Sequence, residues 1–183
     1  MRKLSYSMST SLDGYIKGPD GTFDWSVPSE EEHWLHNEQV RELSAHLLGR
    51  ALYETMLFWD SEEASTSEDP VMRDFAAIWQ ALPKIVFSRS LTSVQGRNTR
   101  LATRDIEAEL ADLDGDVAVG GAVLAAECAR RGLIDEYLPF VKPFIVGGGT
   151  PFLPPLDAQV DLRLLETRTF GDGAVYLRFA RAV

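Results

Sequence analysis

Three short stretches of the chain carry the residue types that hold anions. Gly49-Arg50 follows the apolar run AHLL, Ser88-Arg89-Ser90 ends the β-branched run IVFS, and Gly120-Gly121 follows VAV. A glycine where a strand gives way to a helix lets the backbone come close to a ligand, and free N–H groups there favour a phosphate. A guanidinium flanked by two hydroxyls offers several donors to the same group. Taken singly, each stretch also reads as ordinary architecture: a tight turn with close packing for the glycines, a solvated strand end for Ser88-Arg89-Ser90. Together on one sheet they read as a cradle for a pyrophosphate. The dinucleotide fingerprint GxGxxG is absent, so the ordinary Rossmann arrangement is not expected.

Other chemistries lack their residues. His33 and His36 with Glu32 sit at the start of a helix, where they read as solvated, and no HExxH accompanies them. There is no GxSxG elbow for a hydrolase triad. Cys128 is the one cysteine. It lies in an Ala-rich helix as a small apolar residue, and alone it excludes a disulfide framework or a Cys-rich zinc site. No metal is expected. Eighteen Lys+Arg against 28 Asp+Glu give a net charge of -10, with no basic block. Nucleic acid and anionic membrane surfaces are therefore excluded as partners, because both need clustered cations. No apolar run approaches the ~20 residues of a membrane span, and the first residues lack the apolar core of a signal peptide. A soluble cytoplasmic protein is expected, its 183 residues (45% hydrophobic) forming one domain over 1–183.

The elements that must position these residues follow from patterning. Residues 2–9 alternate like a strand, and 11–25 form a long Gly- and Pro-rich loop of a length that is often functional. Ser29 and Glu32 make a capping box for a helix reaching about residue 44, with Trp34, Val40 and Leu43 among its buried positions. SEEASTSEDP (61–70) reads as solvated, and Pro70 starts the helix PVMRDFAAIWQAL. IVFS and VAV are buried strands, and 104–113 and AVLAAECARRG are helices. EYLPFVKPFIVGGG (136–149) reads as one long strand and a glycine turn, and a hairpin turning at Gly171-Asp172-Gly173 closes the chain. The order predicts an α/β fold: a mostly parallel mixed sheet, helices on both faces, and a C-terminal antiparallel hairpin. Ligands of such sheets bind at the carboxyl ends of the strands.

SLDGYI, GRALYETM, IVFSRSL and VAVGGAVLAAECARRGLIDEYLPFVKPFIVGGGTPF, in this order over almost the whole chain, resemble the dihydrofolate reductase-like superfamily. The closest branch is the C-terminal reductase domain of bifunctional riboflavin-biosynthesis proteins and its stand-alone relatives. The resemblance implies the three-layer fold of that superfamily and NADPH bound in an extended pose. Gly49 and Arg50 with Gly120, Gly121, Ala122 and Val123 would surround the pyrophosphate. Ser88 and Arg89 would read the 2'-phosphate, and 11–25 would be a mobile loop with Ile16 near the nicotinamide. Leu52 departs from the pattern, since relatives commonly place a threonine there.

On the substrate side, Trp25-Ser26-Val27-Pro28-Ser29-Glu30 is similar to the dihydrofolate reductase pattern of tryptophan, proline and acid. That likeness gives Glu30 the place of the pterin-binding carboxylate and Trp34 that of the stacking aromatic, and implies that Trp25 and Trp34 would line the substrate. Glu30 to Glu32 equally read as first-turn acids favoured by the helix dipole. Asp13 matches an acidic position of riboflavin-type reductases, touching substrate or capping the Asp-Gly turn. The arginine that clamps the folate tail is missing before IVFS, where Lys84 would be a poorer, point-charge substitute. The deaminase half of the bifunctional proteins has no counterpart here. The resemblance thus implies an NADPH-dependent reductase of a pterin-like or pyrimidine-like small molecule, either the riboflavin-pathway ribosylaminopyrimidine or dihydrofolate. The alternative is a non-catalytic nucleotide-binding relative of the same fold. Domains of this branch often pair, so a homodimer joined through the strand YLPFVKPFIV and a monomer whose helices cover that strand are both open.

Overall fold

A computed structural model describes residues 2–182. Its packing divides these residues into two compact units: Glu30–Gly121 with Arg2, and Lys3–Ser29 with residues 122–182.

The chain opens in the second unit. Strand β1 (Leu4–Ser11) buries Leu4 and Tyr6, as its alternation predicts, and the loop after it contains a short strand β2 (Tyr15–Lys17) and one 3-10 turn at Asp24–Ser26.

The other unit then begins with helix α1 (Glu30–Arg41). Its inner face differs from the expected one. Trp34 is 37% exposed, while Glu32 and Asn37 are fully enclosed; Val40 and Leu43 are only half-buried. Asn37 explains part of this, because its amide donates to the Val71 carbonyl and to Asp74 across the interface with a later helix. Strand β3 (Ala45–Gly49) runs into helix α2 (Arg50–Met56). The stretch expected to be solvated holds a helical turn, α3 (Glu62–Ser65), because Ser61 accepts from the Ala64 amide and Ala64 is completely buried. Helix α4 (Pro70–Ala81) starts at its proline, with the Asp69 carboxylate accepting from the Val71 amide. Strand β4 (Lys84–Phe87), strand β5 (Thr99–Leu101), helix α5 (Ile106–Ala111) and strand β6 (Val117–Gly120) complete the unit. Its strands pair in parallel in the order β5-β4-β3-β6. Leu48, Tyr53, Phe75, Trp79, Leu82 and Val86 form its core.

The second unit resumes with helix α6 (Ala122–Arg130) and strand β7 (Glu136–Lys142). Strand β7 ends at Lys142, five residues before the first of the glycines in the expected strand and turn. Pro143 has no amide hydrogen to continue the ladder, and the amides of Val146 and Gly147 are taken by Asp13. Strand β8 (Thr150–Pro151) pairs with β2, and β9 (Leu162–Thr169) with β10 (Val175–Arg181) forms the expected antiparallel hairpin. β7 is paired on both sides, parallel to β1 and antiparallel to β10. It is therefore an interior strand, with both of its edges taken by neighbouring strands of the same unit. The architecture is α/β, mostly parallel, with the antiparallel hairpin at the C-terminal end.

Candidate functional site

The three glycine- and arginine-bearing stretches meet within the Glu30–Gly121 unit. β4, β3 and β6 are neighbours in one parallel sheet, with Gly49 opposite Phe87 and Leu48 opposite Gly120. Gly49-Arg50, Ser88-Arg89-Ser90 and Gly120-Gly121 consequently leave the same, carboxyl-terminal edge of that sheet side by side.

The two glycines of the last pair have different reasons to be there. Gly121 has φ +93°, a conformation side chains rarely adopt, and a Cβ on it would lie 3.5 Å from the Gly49 Cα. The two backbones approach closely at that point. A Cβ on Gly120 would strike the Leu52 side chain at 2.3 Å and the His46 ring at 2.9 Å. Packing alone thus demands glycine at 120. His46 lies edge-on to Trp79 with ring centroids 5.5 Å apart, and burial pulls its pKa down to about 4, so the ring under Gly120 is neutral.

Arg50 bridges two of the stretches. Its Nη1 donates to Ser90 Oγ at 2.8 Å, and its Nε donates to Glu54 Oε1 at 2.7 Å one helical turn on. Ser88 Oγ in turn accepts from the amides of Ser90 and Leu91, which folds the segment after β4 into a small turn. Arg89 is exposed on that turn. Glu54 is the member that the sequence reading did not single out, and its i,i+4 spacing from Arg50 was the available signal.

The remaining expected residues are placed elsewhere. Lys84 is buried, its Nζ donating to the carbonyls of Trp79 and Leu82, so it closes the end of α4. Glu30 is exposed at the first turn of α1, and the carboxylate that is enclosed there is Glu32. Trp34 belongs with Glu30 to one unit, whereas Trp25 belongs to the other, where its indole N–H is enclosed without a hydrogen-bond partner. Ile16 is buried on β2, Ala122 is buried at the start of α6, and Val123 beside it is 78% exposed. Asp13 is exposed, and its carboxylate accepts from the amides of Val146 (3.1 Å) and Gly147 (2.8 Å). The Ser11 hydroxyl and those two amides hold its pKa below the usual carboxylate range. The turn it caps is thus a distant one, not its own. An open hollow of about 390 Å³ over Leu57, Asp60, Ser61, Gln95, Gly96 and Arg97 contains none of the expected residues.

A family model described as the RibD C-terminal domain matches residues 2–176. Among curated proteins, the uncharacterized proteins YyaP and YwjB of Bacillus subtilis (strain 168) are similar. YyaP is 23% identical, over 96% of this chain and 93% of its own. YwjB is 28% identical, over 99% of both. A Shewanella sp. PV-4 structure provisionally assigned to riboflavin biosynthesis superposes with a TM-score of 0.77, at 22% identity over 99% of both chains. The Thermotoga maritima diaminohydroxyphosphoribosylaminopyrimidine deaminase/5-amino-6-(5-phosphoribosylamino)uracil reductase gives 0.66 at 17% identity, over 99% of this chain and 57% of that one. Dihydrofolate reductase from Enterococcus faecalis, solved with NADP(H), gives 0.63 at 18% identity over 99% and 97%. At these identities the solved structures establish a shared dihydrofolate reductase-like fold. No described helix is long and apolar enough to cross a membrane.

Proposed function

This chain belongs to the RibD C-terminal domain family, and from that premise we propose that it is a cytoplasmic NADPH-dependent reductase of a small pterin-like or pyrimidine-like heterocycle. The observation that carries this reading is the meeting of Gly49-Arg50, Ser88-Arg89-Ser90 and Gly120-Gly121 on one edge of a parallel sheet. The residues fit the group. The close approach of Gly49 and Gly121 leaves backbone for a diphosphate to lie against, and Gly121 adds no side chain of its own there. Arg50 supplies a cation already oriented by Ser90. Ser88 and the exposed Arg89 would hold the 2'-phosphate that separates NADPH from NADH.

When bound, NADPH supplies a hydride from nicotinamide C4 to a C=N or C=O carbon. The protein contributes binding, orientation and shelter from water. Glu30, exposed where the helix dipole favours an acid, is assigned no proton transfer. Within this class the ribosylaminopyrimidine of riboflavin synthesis is the first substrate to try and dihydrofolate the second.

A second reading has its own support. Leu52 offers no hydroxyl, and Glu54 holds Arg50 by a carboxylate that competes with a phosphate. Both favour a nucleotide-binding relative that does not turn over. Quenching of the four tryptophans by NADPH and NADH, on wild type and Arg89→Ala, tests the common premise. NADPH should bind at least about tenfold more tightly than NADH, and Arg89→Ala should erase the difference. Failure to bind either nucleotide overturns both readings. Binding without oxidation of NADPH by any pterin or pyrimidine selects the second.

A further inference from the structure

In a chain with 28 acidic side chains against 18 basic ones, carboxylates are plentiful, and most arginines of the Glu30–Gly121 unit have found a partner. Arg41, Arg50, Arg100 and Arg104 each meet a carboxylate, and Arg73 donates to the Ser67 carbonyl. Among the described residues, the guanidinium groups of Arg89 and Arg97 have none. Arg89 lies on the cofactor side. Arg97 is exposed on the loop before β5, where only its backbone amide is engaged.

Arg97 stands at the rim of the hollow of about 390 Å³ that Leu57, Asp60, Ser61, Gln95 and Gly96 complete. This hollow and the cofactor stretches belong to opposite edges of the sheet. β5 runs parallel to β4 with Thr99 opposite Lys84, and Arg97 comes two residues earlier, at the amino-terminal ends of these strands. Gly49, Ser88 and Gly120 stand at carboxyl-terminal ends. The walls are fixed without a ligand. The Tyr53 hydroxyl accepts from the Gln95 amide at 2.7 Å, and Asp60 Oδ1 accepts from the Arg97 amide at 3.0 Å. The Asn98 side chain donates to the carbonyls of Gln80 and Ala81, closing the loop onto the end of α4. Gly96 is pressed against Asp60, since a Cβ there would lie 2.7 Å from Oδ2. A preformed concavity of this size is in the range that takes small molecules.

The charges of the wall say which kind. It presents one guanidinium and one carboxylate, with the Ser61 hydroxyl, the Gln95 amide and an apolar patch at Leu57. Asp60 Oδ2 takes no hydrogen bond from a described residue. Lys84 is the other cation that Asp60 influences, but it is buried and donates to the carbonyls of Trp79 and Leu82. A plain anion would suit Arg97 and be repelled by Asp60, and a plain cation would meet the reverse. A molecule with an acid at one end and an amine at the other answers both.

We propose that this hollow binds a small zwitterion of the amino-acid kind, its carboxylate on the Arg97 guanidinium and its ammonium on Asp60. Both contacts are charge-assisted hydrogen bonds, the stronger kind. The site is separate from the cofactor edge and stands whether or not that edge takes NADPH.

The test is isothermal titration of the full chain with glycine, β-alanine, γ-aminobutyrate and ε-aminohexanoate, each up to about 10 mM. The series keeps both charges and lengthens the spacer between them, so at least one member should bind with a Kd below about 1 mM. Its analogues lacking the amine or the acid should bind at least about tenfold more weakly. Arg97→Ala and Asp60→Asn should each weaken binding by a similar factor, and the asparagine keeps an oxygen for the Arg97 amide. Arg89→Ala, at the other edge, should change nothing. Circular dichroism checks that each variant is folded. Four results overturn the proposal: no member binding up to that ceiling, an amine-free analogue binding equally well, binding that survives Arg97→Ala or Asp60→Asn in a folded protein, or binding lost in Arg89→Ala.

Discussion

Two of the arginine–glutamate pairs in the Glu30–Gly121 unit do opposite things. Arg50 and Glu54 are both about half exposed at 2.7 Å, on one surface turn of α2. Arg100 and Glu109 meet at 2.5 Å with the glutamate wholly buried, and its carboxylate also accepts from the amides of Thr103 and Arg104. The first pair is screened by water and contributes little, so its arginine can exchange one partner for another. The second is held on every side and fastens the β5–α5 segment. The chemistry of the residues is the same. Burial and the number of additional donors decide which arginine is structural and which can serve a ligand.

The comparison breaks most sharply at Glu109. Glu109→Ala strands two amides and a half-buried guanidinium, and should lower stability by about 2–3 kcal/mol in urea denaturation. A loss under about 0.5 kcal/mol would place the two pairs in one class.

Acid should separate them next. Hydrogen bonding from Arg100, then from the amides, holds the Glu109 carboxyl down at about 2. A depressed folded pKa means that the unfolded chain binds the proton first. Its contribution is complete above the ordinary glutamate range and is lost as pH falls from about 4.5 towards 2. Roughly 1–2 kcal/mol should disappear across that window once solvent screening of Arg100 is allowed for. The same titration of Glu109→Gln should be flatter there.

The smallest effect belongs to the exposed pair. Glu54→Gln frees Arg50 without moving it far, and should tighten NADPH binding about two- to fivefold with stability unchanged. Weaker binding would mean that Glu54 orients the arginine rather than competing for it.

Much of this architecture is legible in the letters because local signals agree with the packing. Pro70 after a capping aspartate, the glycines closing AHLL and VAV, and the Gly171-Asp172-Gly173 turn each have one local solution. The misreadings arise where distant residues decide. Trp34 is the largest apolar residue of its turn, yet α1 buries Asn37, because Val71 and Asp74 on another helix offer its amide two acceptors. FIVGGG looks like a strand until Asp13, 133 residues away from Val146, removes its amides from any ladder. Lys84 looks available from its place before a strand, but the end of α4 absorbs it. At the site, the three stretches were visible, whereas the coupling of Arg50 to Ser90 depends on strand adjacency that no local pattern encodes.

The tether at Asp13 limits how the loop 11–25 can travel. Besides the two amides that Asp13 accepts, the Leu12 amide donates to the Phe144 carbonyl, and β2 pairs with β8. Gly149 sits so close that a Cβ would lie 2.1 Å from the Lys17 carbonyl oxygen. Prising the loop off alone would sacrifice at least three hydrogen bonds, about 3 kcal/mol, which keeps the detached form near 1% of molecules. The segment that looks like a free flap is therefore one half of a stiff plate. Any swing it makes carries residues 144–151 along, and the pivots to look for lie outside it, at Pro143 and beyond Phe152.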